Sequence, residues 1–143
     1  MSRIVLDTNS LIQSLPARSI YNRAWKSFFD GTNTLCVSNE ILEEYEEIIE
    51  RLVGPEIAKL TIDTIICNPY TAFFTPHYHF NLILSDPDDN KFVDCAIHAN
   101  AQYIVTQDQH FEVLKSIGFP HIDVIDTDTF SYLLAKGRHP HNA

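Results

Sequence analysis

The sequence predicts an α/β fold built on a central, mostly parallel sheet. Three observations carry that prediction. Short apolar segments without alternation, Arg3 to Leu6, Leu35 to Val37 and Tyr103 to Val105, have the character of strands buried on both faces. Amphipathic helical stretches separate them. Acidic residues fall where strands end, the edge at which open α/β sheets build their sites. At 143 residues with 45% hydrophobic and 20% charged side chains, the chain fits one domain able to bury a core. That composition excludes low-complexity, collagen-like and disordered classes. We expect one domain over 1–136 and a flexible tail over 137–143.

The first strand ends at Asp7. A helix is predicted over Ile20 to Phe29, where Tyr21, Ala24, Trp25 and Phe28 stand at i, i+3, i+4 and i+7, and Gly31 to Asn33 then interrupts the chain. After the second strand, Ser38 is placed as the N-cap of the next helix. Its apolar face, Ile41, Leu42, Tyr45, Ile48, Ile49, Leu52 and Val53, repeats at period 3.6, and six glutamates cover the remainder. Gly54-Pro55 ends it, a further helix runs from Glu56 to about Ile66, and Asn68-Pro69 stops that one. A strand is expected within His79 to Leu84. Asp86 is the N-cap and Pro87 the first residue of a helix reaching about Asn100. The strand at Tyr103 to Val105, a helix over Gln109 to Ser116, a strand over His121 to Ile125 and a helix over Asp126 to Ala135 complete the alternation.

Nineteen acids against ten bases give a formal charge of −9. Coating duplex DNA by broad positive charge is thereby disfavoured, so contact with nucleic acid needs a local cation such as a metal ion. The cysteines, Cys36, Cys67 and Cys95, are three and far apart, with no C-x-x-C pair, which suggests neither a disulfide framework nor a zinc knuckle. No apolar run approaches the roughly 18 residues of a membrane span, and the N-terminus reaches Asp7 too soon for a signal peptide. A soluble, cytoplasmic protein is expected.

Four acids fall at neighbouring strand and helix ends in this arrangement: Asp7, Glu44, Asp89 and Asp108. At 100° per residue, Asp89 lies about 20° from Ala96 on the apolar face of its helix. Asp94 lies about 160° from Ala96 and is expected in solvent. Glu44 flanks the apolar stripe nearest the strand end, whereas Glu43, Glu47 and Glu50 face water. The glutamates also have an ordinary explanation as solvated surface, and Asp86 and Asp108 as helix caps, whereas Asp7, ending a strand in this topology, is harder to dismiss. Together, however, they would raise one another's pKa and repel, an arrangement suited to Mg²⁺ or Mn²⁺ and its preference for hard oxygen ligands. Without metal, Asp7→Asn is therefore expected to melt above wild type.

In four segments the sequence resembles PIN domains, specifically the group of toxins from bacterial type II toxin–antitoxin systems. These are Ile4-Val-Leu-Asp7-Thr8-Asn9, Ser38-Asn-Glu-Ile-Leu-Glu-Glu44, Asp86-Pro-Asp-Asp89-Asn-Lys-Phe92 and Tyr103-Ile-Val-Thr106-Gln107-Asp108. The family often has glycine where Gln107 stands. The resemblance implies a PIN-like α/β/α sandwich and an endoribonuclease cutting single-stranded RNA with metal-activated water. It places one or two Mg²⁺ or Mn²⁺ ions on Asp7, Glu44, Asp89 and Asp108, with Asn9, Ser38 and Thr106 as polar support. It implies single-stranded RNA as substrate, a cognate antitoxin and a homodimer as candidate partners, and no membrane. Arg18, Arg23 and Lys26 are candidates for guiding RNA. A haloacid-dehalogenase-type phosphatase would want a carboxylate at Asn9, and a receiver domain would want an acidic pair and a downstream lysine. A catalytically silent PIN-like module binding RNA or protein is the remaining alternative.

Overall fold

A computed structural model of the chain describes residues 2–137; apart from Gly137, the expected tail lies outside the described residues. In chain order the elements are β1 (Ser2–Leu6), α1 (Thr8–Ser14), α2 (Asn22–Ser27), β2 (Asn33–Val37), α3 (Asn39–Leu52), α4 (Pro55–Cys67) and β3 (Ala72–Phe73). A 3-10 turn over Pro87–Asp89 then leads into α5 (Asn90–Ala99). β4 (Tyr103–Val105), a 3-10 helix over Gln109–Ser116, β5 (Val124–Ile125) and α6 (Thr127–Ala135) follow.

All pairings are parallel, in the order β3-β2-β1-β4-β5. Ile4 stands opposite both Leu35 and Tyr103, and Leu6 opposite Val105. The fully buried strand residues Ile4, Val5, Leu35, Cys36, Val37, Ile104 and Val105 account for the unalternating runs, since helices cover the sheet on both sides. α5 lies over β1, β2 and β4, with α3 beside it, and α2 packs with α1 and α6. The chain leaves β1 toward β2 on one side and returns to β4 on the other, so the switch point of the topology falls between the ends of β1 and β4. Asp7 and Asp108 are anchored there.

Most expected elements are present with shifted bounds. α1 was not anticipated because its buried face carries Thr8, Ser10 and Ser14 beside Leu11, and a polar buried face gives no apolar period. The strand expected within His79 to Leu84 is absent, and β3 lies earlier. Asn81 has a positive φ of 53°, which breaks an extended run. Instead of a sheet neighbour, the segment pairs with side chains of α5. Asn90 accepts from the Ile83 N–H at 2.9 Å and donates to the Ile83 carbonyl at 2.8 Å. The helix expected over Gln109 to Ser116 is present as 3-10. At Gly54 the φ of +124°, which side chains avoid, turns the chain from α3 into α4.

Asp94 corrects one expectation. It is 3% exposed, not in solvent. Its Oδ1 accepts from the Phe80 N–H at 3.1 Å, and its Oδ2 lies 3.1 Å from His79 Nδ1. α5 is buried on more than one face, because the segment before it covers the side that the helical period assigns to water. Asp94→Ala should therefore destabilise the protein by about 2 kcal/mol through the orphaned Phe80 amide and lost contacts. Calorimetry should show a melting temperature lower by several degrees; an unchanged value would remove Asp94 from this role.

Candidate metal centre

The backbone ladder brings the acids to one edge. The Asp7 N–H donates to the Val105 carbonyl at 3.0 Å, one step past the end of β1. Its side chain caps α1, Oδ1 accepting from the Thr8 N–H at 2.8 Å, while Oδ2 accepts from the Thr106 hydroxyl at 2.8 Å. The same Thr106 oxygen accepts from the Asp108 N–H at 3.0 Å, so one hydroxyl ties the ends of β1 and β4 together. Asp108 in turn caps the following 3-10 helix, Oδ1 accepting from the His110 N–H at 2.9 Å. Glu44 comes from the second turn of α3, which Tyr45 fixes to β1 by donating from a fully buried hydroxyl to the Leu6 carbonyl at 2.6 Å. Asp89 ends the turn entered through Asp86, whose Oδ1 accepts from the Asp88 N–H at 3.3 Å. Asp7, Glu44, Asp86, Asp89 and Asp108 line one cleft, with Asn9 and Arg51.

The charges in this cleft divide into two halves. Glu44 is compensated, accepting from the Thr8 hydroxyl and from Lys91 Nζ at 2.8 Å. Asp7 is buried, which raises its pKa; the Thr106 and Thr8 hydrogen bonds pull it down, and the charges of Asp108 and Glu44 push it up again. On the other half, burial first, and then the charges of Asp108, Asp86 and Asp7, push the Asp89 carboxyl up to about 7. Asp89 is 8% exposed, and its Oδ2 is shielded from water without a hydrogen-bond partner. A buried, unpartnered carboxylate oxygen is costly and calls for a cation.

A family model described as PIN domain matches residues 3–110. The chain belongs to the PIN domain family. Two crystal structures have the same fold. One is VapBC2 from Rickettsia felis bound to a DNA fragment from their promoter, 19% identical, with TM-score 0.59, covering 87% of this chain and 98% of that one. The other is DNA-bound VapBC from Salmonella typhimurium, 17% identical, with TM-score 0.58, covering 89% and 99%. No curated protein matches at the sequence level.

In this PIN domain the residues present fit a divalent ion: several carboxylates share one cleft, and one buried oxygen among them has no donor. Of the polar residues expected beside them, Thr106 bridges Asp7 and Asp108 as described, and Asn9 lines the cleft, exposed. Ser38 spends its hydroxyl on the Ile41 N–H at 3.3 Å as the cap of α3. Arg23 and Lys26 border a separate hollow with Ser27, Asp30 and Thr32, and Arg18 is exposed; Arg51 is the arginine of the acidic cleft. Sequence reading missed Thr8, Tyr45, Lys91 and His110. Lys91 and His110 each stand two residues from an acid already singled out, and that spacing was the available signal. Tyr45 gave none, because a tyrosine on an apolar stripe reads as core. Burial pushes the thiols of Cys36 and Cys95 up to about 12, so neither is a nucleophile near neutral pH.

Proposed function

We propose that this PIN domain is a Mg²⁺- or Mn²⁺-dependent endoribonuclease that cuts single-stranded RNA as the toxin of a toxin–antitoxin pair. The observation that carries this reading is the buried, unpartnered Asp89 oxygen within a cleft of converging acids. When bound, the ion supplies activation of water and compensation of phosphate charge. Asp89 and Asp108 would hold it, with Asp7 and Glu44 completing the oxygen set. Thr106 keeps Asp7 and Asp108 in register, and Thr8 and Lys91 orient Glu44. Arg51 offers the cleft a positive charge toward an RNA backbone. The VapBC assemblies among its structural neighbours support an antitoxin as partner.

The test is cleavage of end-labelled single-stranded RNA by metal-stripped protein. Activity should require added Mg²⁺ or Mn²⁺, and EDTA should abolish it. Undiminished cleavage in EDTA, or none with either ion bound, would overturn the reading.

A further inference from the structure

One candidate metal ligand beside the acids is a nitrogen. His110 stands in the first turn of the 3-10 helix, two residues after Asp108, and its Nδ1 turns back over the acids. It lies 3.1 Å from Asp108 Oδ1, 3.5 Å from Asp89 Oδ2 and 3.7 Å from Asp86 Oδ2. One ligand atom from each of the four residues lies within 4.8 Å of every other. With metal–ligand bonds of about 2.1 Å, adjacent ligands sit about 3.0 Å apart around an octahedron and about 3.4 Å apart around a tetrahedron. The three nitrogen–oxygen separations start just above the octahedral edge and end a little above the tetrahedral one, close enough for one ion to lie among the four atoms. Asp89 Oδ2 also points to a cation, since it is buried and accepts no hydrogen bond, His110 Nδ1 at 3.5 Å failing to donate one. Asp86 serves its turn with Oδ1 and directs Oδ2 at His110.

We propose that Asp86 and His110 join Asp89 and Asp108 in a mixed carboxylate–imidazole site that selects a first-row transition ion over Mg²⁺. The proposal rests on the nuclease reading only in that a divalent ion binds this cleft. The choice of ion follows from ligand chemistry. Mg²⁺ favours an all-oxygen octahedron and keeps much of its water, whereas an imidazole nitrogen favours transition ions, with affinity rising from Mn²⁺ to Co²⁺. The Asp7 and Glu44 half offers oxygen alone, and its oxygens already hold an amide, two hydroxyls and an ammonium.

Calorimetric titration of the EDTA-stripped chain with MgCl₂, MnCl₂ and CoCl₂ tests this, together with electron spin echo spectroscopy of the Mn²⁺-loaded protein. Wild type should bind Mn²⁺ at least about tenfold tighter than Mg²⁺, and Co²⁺ tighter still. The echo of bound Mn²⁺ should carry the nitrogen modulation of an imidazole ligand, a readout that needs no variant. His110→Ala should lose that modulation and weaken Mn²⁺ about tenfold or more, with a much smaller effect on Mg²⁺. Asp86→Asn, which keeps the oxygen that caps the turn, should weaken Mn²⁺ as well. Absent nitrogen modulation in wild type, equal loss of both ions in His110→Ala, or unchanged Mn²⁺ affinity in Asp86→Asn would each overturn the mixed site. If wild type binds no divalent ion, the nuclease reading fails too. If Mg²⁺ and Mn²⁺ bind equally without a nitrogen signal, only the mixed site fails.

Discussion

Asp89→Asn should reduce cleavage of single-stranded RNA at least about a hundredfold, since loss of a ligand should exceed the 10–100-fold typical of groups one shell further out. Asparagine keeps the shape and removes the charge, so the fold should persist. Single-turnover cleavage, with circular dichroism to verify folding, measures the effect. Asp63→Asn is the matched control. Asp63 lies on α4, paired at 2.9 Å with Lys59 and well exposed, and its loss should leave the rate unchanged. Equal effects at the two positions would mean that the cleft is not where the reaction occurs.

The same substitution should stabilise the metal-free protein, with a sign that depends on pH. Burial and neighbouring charges hold the Asp89 carboxyl up to about 7 in the folded chain, against about 3.9 when unfolded. Between those values the folded state keeps a proton that the unfolded state has lost, so wild-type stability falls as pH rises through the interval and levels off above 7. Asparagine is spared that loss. In EDTA at pH 8, Asp89→Asn should therefore melt above wild type. The cleft opens to water, which screens part of the penalty, so the gain is about 1 kcal/mol, or a few degrees. The gap should shrink steadily toward pH 4. Metal should invert the order: at 100 times its dissociation constant, an ion specific to the folded state adds about 2.7 kcal/mol, and the variant should forfeit most of it. Scanning calorimetry in EDTA and in millimolar Mn²⁺ reads both halves. A variant less stable than wild type in both buffers would make Asp89 a structural acceptor.

Asp7, the residue first expected to show this behaviour, is poorly suited to the experiment. Its two oxygens already accept an amide and a hydroxyl, so Asp7→Asn sets charge relief against the hydrogen bond accepted from Thr106. Ordinary cap and candidate ligand are not exclusive here: Asp7, Asp86 and Asp108 each accept a local amide while lining the same cleft.

What the sequence made legible follows from the reach of periodicity. α3 has a long apolar face and a capping serine, and β1, β2 and β4 are doubly buried, so each left a strong local pattern. β3, with two residues, is too short to leave one, and β5 is the shortened end of the strand expected over His121 to Ile125. α1 hides its helical period under serine and threonine, although Asp-Thr-Asn after a strand is an N-cap signal. Asp94 was misplaced because its burial is imposed by a segment that holds no regular structure. Asp7, Asp89 and Asp108 could be singled out because each stands at an element end, where sequence position and spatial position coincide, and Glu44 because it flanks the apolar stripe of α3. The split between a compensated and an uncompensated half could not, since it depends on Thr8 and Lys91 meeting Glu44 across elements.

The segment before α5 has a consequence for motion. Phe80 and Ile83 give their amides to side chains, those of Asp94 and Asn90, rather than to a neighbouring strand. A stretch tied by separate side-chain contacts, those two and the His77 N–H on His98 Nε2 at 3.2 Å, rather than by a cooperative ladder can detach while the five-stranded sheet stays intact. Its amide protons should therefore exchange with solvent by local opening, at rates set by those side-chain contacts. Because Asp86 sits at the end of that stretch, each such opening would carry one carboxylate away from the others.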